Sequence, residues 1–437
     1  MQPILIRNGT IVNADKSFKS DILVIGNMIA EISDNIPTPE EAIVIDAEGK
    51  YILPGCIDPH VHMQLPTPAG DSSDTFFTGS RAALLGGTTT FIDFVTPRKE
   101  ESLLDALYAR RKEATTSCCD YSFHMGITSD EQCDAAIIEK LIQEEGITSF
   151  KVYLAYLNSI GIQLSTLEKL MQILAPSGAT LLIHCEDGNM IDALQKDFIA
   201  QNKTTPQYHA LSRPPESEYS MAVQVIDLCR KTKCNVYFVH VSCAETADLI
   251  HKAKAEGLSV FAETCPHYLL KDDSEYSKDW KQAATAVLSP PLRTKENTEK
   301  LWMHVAAGTI DTIATDHCPF FLSQKNKGKD NFTRIPNGAG SIEHRLSLMY
   351  TYGVLENKIT MNKMVQLLCE NPARIFYMYP VKGVIAEGAD ADMVIWNPDA
   401  ASVIAAKTHA HCSDLELYEG IEIKGEAAIV FLKGQMC

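Results

Sequence analysis

His60 and His62, in Asp58-Pro59-His60-Val61-His62, stand two residues apart where an apolar run (Tyr51-Ile52-Leu53-Pro54-Gly55-Cys56-Ile57) ends. A strand sends side chains i and i+2 to the same face, so both imidazoles could serve one cation. Later apolar runs end the same way: His184 follows Leu181-Leu182-Ile183, His240 follows Val236-Tyr237-Phe238-Val239, and Asp316 follows Ile313-Ala314-Thr315. Imidazoles and a carboxylate gathered at strand ends are the donors of a zinc-type hydrolytic centre. Such a centre brings the pKa of water to roughly 7, and a carboxylate can take the proton. Each histidine alone could instead be a capped structural residue; their shared placement argues for ligation. Asp58 reads as an outer partner of the pair or a strand-end anchor. His317, adjacent to Asp316, would face the other way on a strand and is left out of the ligand set.

Lys151, in Ser149-Phe150-Lys151-Val152-Tyr153, is the odd member. An ammonium among metal ions is repelled and costly to desolvate, so a snorkelling or ion-paired lysine is its default reading. Only a neutral or chemically modified amine could act as a ligand, and the residues alone leave that open. Cys185, Cys265 and Cys318 lie beside these positions and read as packing residues, since buried free cysteine behaves as a small hydrophobe.

The elements that must position these groups show two patterns. Over residues 1–50, short alternating β segments (4–7, 10–13, 21–25, 28–32, 42–46) are separated by turn signals such as Asn8-Gly9 and Gly26-Asn27. From residue 51, β runs at 51–57, 88–95, 121–127, 149–154, 180–184, 235–241, 259–262 and 309–315 alternate with amphipathic stretches, among them 74–85, 103–114, 134–143, 167–174 and 244–255. Eight such βα units predict a TIM (β/α)8 barrel, whose chemistry sits at the strand ends. A doubly wound open sheet fits less well, because no Gly-x-Gly-x-x-Gly follows the first strand. Long connections at 187–234 and 266–308 are expected to carry loops over the same face. After residue 375, β character returns at 383–385, 392–396, 421–423 and 427–432, expected to join the N-terminal strands in one small unit. The domain reading is 1–53 and 377–437 for the two parts of that unit and 54–376 for the barrel.

Composition excludes other classes. A formal net charge of −17 opposes binding to nucleic acid or an anionic membrane. No apolar stretch approaches the ~20 residues of a membrane helix. The N-terminus shows no leader pattern, and the thirteen cysteines are scattered without a Cys-x-x-Cys pair. Reduced thiols and a cytoplasmic location are expected.

These motifs together resemble the cyclic amidohydrolases of the amidohydrolase superfamily, and most of all the dihydropyrimidinase and D-hydantoinase family. The resemblance rests on Asp58-Pro59-His60-Val61-His62, Gly86-Gly87-Thr88-Thr89-Thr90 and Ser149-Phe150-Lys151-Val152-Tyr153-Leu154-Ala155-Tyr156. It continues through Glu263-Thr264-Cys265-Pro266, Leu288-Ser289-Pro290-Pro291-Leu292-Arg293, Thr315-Asp316-His317-Cys318-Pro319-Phe320, Ile335-Pro336-Asn337-Gly338 and Gly388-Ala389-Asp390-Ala391-Asp392. It implies a TIM barrel with a β-sandwich built from both termini. It also implies two divalent metals, usually zinc with manganese or cobalt as alternatives. His60, His62, Lys151 and Asp316 would hold one metal, and Lys151, His184 and His240 the other. Lys151 would be carboxylated by CO2 to bridge them. Tyr156 would bond the developing oxyanion, and main-chain groups at Ser289 and Asn337 would grip the ring amide. The implied reaction opens dihydropyrimidines or 5-substituted hydantoins to N-carbamoyl amino acids, in a homotetramer. Members of the family generally run on beyond the strand-like 429–432.

Two positions weigh the other rings. Gln64 stands where dihydroorotase-like enzymes carry an arginine, which counts against an anionic ring, whereas His267 is an allantoinase-like residue where hydantoinases commonly have glutamine. Allantoin or another cyclic amide is therefore the alternative substrate. A non-catalytic scaffold relative is the remote alternative, disfavoured because every ligand position is intact.

Overall fold

Thr88–Val95 shows how the barrel is specified. Its threonines, Ile92 and Val95 are β-branched and favour the pleated backbone. All eight of its residues are buried, as a parallel strand covered on both faces requires. Alternation then sorts them. Ile92 and Phe94 enter the lumen with Leu182, Tyr237 and Val239, while Phe91 and Val95 join the outer core between strands and helices.

The computed structural model describes residues 2–437. Eight parallel strands follow chain order around the sheet: Cys56–Val61, Thr88–Val95, Asp120–Gly126, Ser149–Tyr153, Thr180–His184, Asn235–Phe238, Val260–Thr264 and Thr312–Ile313. Helices such as Phe76–Leu85, Leu103–Ala114, Ala135–Gln143, Leu164–Leu174 and Ala244–Ala255 form the outer layer. This is the expected TIM barrel.

The first and eighth strands meet through side chains more than through a ladder. The Asp58 carboxylate accepts from Thr315 N at 3.2 Å and Thr315 Oγ1 at 2.6 Å. Arg345, fully buried, donates from Nη1 to the carbonyls of Ile57 and Ile313, each at 3.0 Å. His62 N donates to His317 O at 2.8 Å. Asp58 thus ties the first strand to the segment that follows the eighth.

Strands from both ends of the chain build the second unit. One sheet has Ile4–Arg7, Asp21–Ile25, Met28–Ser33 and Ile43–Asp46. The other joins Thr10–Val12, Ser17–Lys19 and Tyr51–Pro54 to Met393–Val403, Glu422–Leu432 and Gln435–Met436. Ile6, Ile11, Ile22, Val24, Ile52, Met393, Ile395 and Phe431 fill the space between them.

Five local expectations differ. The run 51–57 is two strands: Tyr51–Pro54 pairs with Met393–Val403 in the sandwich, and Cys56–Val61 opens the barrel and already contains His60. The break falls at Pro54-Gly55, where the amide of Gly55 bonds Asp392 O at 2.8 Å and a Cβ would lie 2.2 Å from Thr89 Oγ1. The eighth strand is only Thr312–Ile313, and Asp316 beyond it adopts a left-handed φ of 50°. No strand forms at 383–385, and the C-terminal pieces merge into two bulged strands of 11 residues each. The connection 187–234 is mostly helical, with Gly188–Ala200, Gln207–Leu211 and Pro215–Thr232. Among the described residues, no helix is long and apolar enough to cross a membrane.

Candidate active site at the barrel mouth

Parity delivers Lys151 and His184, while His240, in phase with the outward Val236 and Phe238, turns inward through a φ of 38°. Phe150 and Val152 belong to the outer core, so Lys151 between them points inward. Leu181 and Ile183 likewise face out, which turns Leu182 and His184 into the lumen. Phe94 forms a common floor, with its ring 4.7 Å from His60, 4.8 Å from His62 and 5.0 Å from Lys151 Nζ.

Two clusters of donors result. His60 Nε2 and His62 Nε2 are 3.2 Å apart, and Asp316 Oδ1 is 3.1 Å from each. His184 Nδ1 and His240 Nε2 are 3.0 Å apart, with the His60 and His240 rings 5.3 Å from each other. The outer nitrogens fix the tautomers. His60 Nδ1 bonds Glu263 Oε1 at 2.7 Å, and His184 Nε2 bonds Glu186 Oε2 at 2.7 Å. With those N–H groups engaged, the inner nitrogens of neutral His60 and His184 present lone pairs to the site. His62 Nδ1, His240 Nδ1 and Lys151 Nζ are buried with no hydrogen-bond partner. Converging lone pairs beside a carboxylate repel unless a cation lies among them, so the donor set fits divalent metals.

Burial moves His62, His184 and His240 towards the neutral form that ligates, whereas two carboxylates favour a proton on His60 that a cation would have to displace. Burial pushes the His60 imidazolium down, but the Glu263 and Asp316 carboxylates outweigh it and lift its pKa to about 9. Burial takes His62 down to about 4 and holds His184 and His240 below their ordinary value. Burial opposes ionisation of Asp316, but His60 and His62 hold it well below the usual carboxylate range. Lys151 neither snorkels nor forms a hydrogen-bonded ion pair. It is 1% exposed, and burial brings its ammonium down to about 7. A neutral amine is thus accessible, and that is the form able to add CO2.

Several positioning groups escaped the sequence reading. Glu263, besides holding His60, accepts from His240 N at 3.0 Å and Tyr237 Oη at 2.8 Å, so one carboxylate orients both clusters. Arg213 pairs with Glu186 and lies 5.2 Å from the Tyr156 ring, which sits 5.3 Å from His184. Glu263 could have been found, since a ligating imidazole needs a partner at its other nitrogen. His240, Asp316 and Tyr156 all have positive φ, at 38°, 50° and 58°, the backbone strain that gathers at functional sites. Asn337 Nδ2 donates to Ser289 Oγ at 2.8 Å, bringing the two ring-binding candidates together. Beneath them, buried Lys325 donates to the carbonyls of Val287, Pro336 and Gly338 at 3.2, 2.7 and 2.9 Å and ties their loops together. His317 stays out of the cluster, with Nε2 on Asp74 at 2.9 Å. All the cysteines are free, and Cys185, Cys265 and Cys318 are buried, their thiols pushed up by burial.

An eight-stranded parallel barrel with this donor set at its mouth defines a barrel hydrolase class. The Amidohydrolase family matches residues 51–437. A D-hydantoinase of Geobacillus stearothermophilus is 40% identical over 433 residues, 99% of this chain and 92% of that one. A dihydropyrimidinase of Dictyostelium discoideum is 39% identical, covering 99% of this chain and 87% of its own. The crystal structure of a dihydropyrimidinase from Brevibacillus agri superposes with a TM-score of 0.98 at 38% identity, over 100% of this chain and 95% of that one. The chain belongs to the amidohydrolase family, within its D-hydantoinase and dihydropyrimidinase branch.

Proposed function

We propose that this protein is a metal-dependent cyclic amide hydrolase that opens dihydropyrimidines or 5-substituted hydantoins to N-carbamoyl amino acids. The observation that carries the reading is the pair of facing imidazole clusters, with Asp316 and the unpaired Lys151 amine among them, in a chain similar end to end to D-hydantoinase. His60, His62, Lys151 and Asp316 would hold one divalent ion, and Lys151, His184 and His240 the other, zinc being the first choice for this nitrogen and oxygen set. Lys151 would take part as a carbamate, its neutral amine adding CO2 with loss of one proton. The bound ions would supply charge to polarise the ring carbonyl and acidify water.

The chain's own groups do the rest. Asp316 accepts the water proton at its carboxylate and returns it to the ring nitrogen as the C–N bond breaks. Tyr156 donates its hydroxyl to the carbonyl oxygen as negative charge develops there. Main-chain groups at Ser289 and Asn337 hold the ring amide, and Lys325 keeps their loops in register. Water adds across one amide bond, leaving a carboxylate and an N-carbamoyl group.

The test is parallel ring-opening of dihydrouracil, a 5-aryl hydantoin, allantoin and dihydroorotate by metal-replete enzyme. Turnover dominated by dihydrouracil or hydantoin is expected. Turnover of allantoin alone would overturn the substrate assignment and point to His267, which is buried with an unpaired Nε2. We also read the protein as a cytoplasmic homotetramer. The free thiols suit a reducing compartment, and exposed Leu211, Tyr219 and Val223 offer apolar surface for subunit contact. Light scattering on the holoenzyme checks the assembly.

A further inference from the structure

A second set of metal-type donors lies outside the barrel mouth. His344 precedes the helix Arg345–Met349, while His409, His411 and Glu416 come from the connection between the strands Met393–Val403 and Glu422–Leu432. One donor atom from each falls within 4.8 Å of all the others. Glu416 Oε2 is the hub, at 2.9 Å from His409 Nδ1, 3.3 Å from His344 Nε2 and 3.8 Å from His411 Nε2. Ligands on a zinc tetrahedron with bonds of about 2.1 Å stand about 3.4 Å apart, the middle of that range.

Hydrogen bonding alone does not account for the arrangement. A carboxylate oxygen can satisfy one or two imidazoles, yet three converge on Glu416 Oε2. His411 is 2% exposed, and neither of its ring nitrogens has a hydrogen-bond partner; His344 Nε2 is also unpartnered. A buried nitrogen left without a partner is costly to the fold unless a ligand answers it. The outer contacts, by contrast, are those of oriented ligands. His409 Nε2 bonds the carbonyl of Ser413 at 2.9 Å, and Glu416 Oε1 accepts from Tyr418 N at 2.9 Å. Gly340 leaves room for the third imidazole, since a Cβ there would lie 2.5 Å from His411 Nε2.

We propose that His344, His409, His411 and Glu416 bind a structural divalent cation of the zinc class, separate from the catalytic centre. Four protein donors leave no open position for a substrate, so the ion fastens rather than catalyses. What it fastens is the connection 404–421, whose Cys412 amide bonds Asp74 Oδ1 at 2.9 Å, while Asp74 Oδ2 holds His317, the neighbour of Asp316. The ion would therefore brace the back of the active site.

The experiment is elemental analysis of holoenzyme purified without chelator, comparing wild type with His411→Asn and Glu416→Gln. Each variant is expected to carry one metal ion per chain fewer than wild type, whatever the total, with a lower melting temperature. Metal content equal to wild type in both folded variants overturns the proposal. Should both aggregate, a chain with His60, His62, His184 and His240 all changed to Ala decides the matter. Retention of one tightly held zinc per chain supports the second site, and none overturns it. Because the readout is metal content, a wrong substrate assignment for the barrel mouth would leave this result unaffected.

Discussion

At the scale of single residues, chemistry at the barrel mouth depends on how few groups can be exchanged without leaving a charge or lone pair unanswered. Asp316 is the clearest case, since it contacts both His60 and His62 and is the proposed proton carrier. Asp316→Asn keeps the shape and removes the base, and kcat is expected to fall by roughly 10²–10⁴-fold in steady-state assays of metal-replete protein. Glu263 acts one step further out, through His60 Nδ1 and the amide of His240. Glu263→Gln should weaken metal affinity or activity about 10–100-fold, seen as a shifted metal-titration curve with partial activity at saturating metal. Wild-type metal affinity in that variant would remove Glu263 from its positioning role.

At the scale of elements, two charged side chains join pieces that no ladder joins. Arg345 bridges the first and eighth barrel strands through the Ile57 and Ile313 carbonyls, and Asp58 lies 3.6 Å away. Arg345→Met should cost about 3 kcal/mol in urea unfolding, because buried acceptors and a buried carboxylate lose their partner. Lys382 joins the barrel to the sandwich, paired with Asp120 at 2.7 Å, Asp390 at 3.2 Å and also Asp392. These three carboxylates converge as metal ligands might, but Lys382 and Lys433 already neutralise them. Burial works against ionisation of Asp120, yet hydrogen bonds from Lys382 and Lys433 hold it below its ordinary 3.8. Burial also works against the Lys382 ammonium, but Asp392 and Asp120 raise it above its ordinary 10.5. A depressed carboxylate stabilises above its unfolded pKa and loses that contribution as pH falls through the folded value. A raised lysine stabilises below its unfolded pKa and loses it as pH climbs towards the folded value. The stability gap between wild type and Lys382→Met should therefore be widest between about pH 5 and 10 and should shrink in acid. Asp392 shifts the other way, lifted by burial, which trims the gap at its acid edge. Melting curves across pH check this, and a pH-independent gap would count against the pairing.

At the scale of the whole molecule, metal and fold should be coupled, because the unpaired donors are buried in the folded chain alone. Removal of metal with a chelator is expected to lower the melting temperature. Free metal at 1,000 times Kd would return about 4 kcal/mol. Activity should come back fully only when bicarbonate accompanies the metal, if Lys151 is carboxylated; full recovery in CO2-free buffer would refute the carbamate. Much of this molecule was legible in one dimension. Apolar runs ending in His or Asp already placed His60, His62, His184, His240 and Asp316 at one end of the barrel, and the period of two put His60 beside His62, because strand geometry is local; His240, in phase with the outward Val236 and Phe238, turns inward only through its φ of 38°. The eight βα units were legible for the same reason. Other features depended on who the neighbours are. Tyr51–Pro54 continues an apolar run into the barrel, yet the Pro54-Gly55 break and Asp392 O draw it to the sandwich. Glu263 gained its role only when the seventh strand came to lie across from the first. In the cluster of His344, His409, His411 and Glu416 the His409-x-His411 spacing is a local signal, but His344 arrives from a separate segment and only packing brings it to the others. Strand periodicity determined which side chains point inward, whereas long-range packing decided which of them meet, because burial and charge are settled only by contacts between distant parts of the chain.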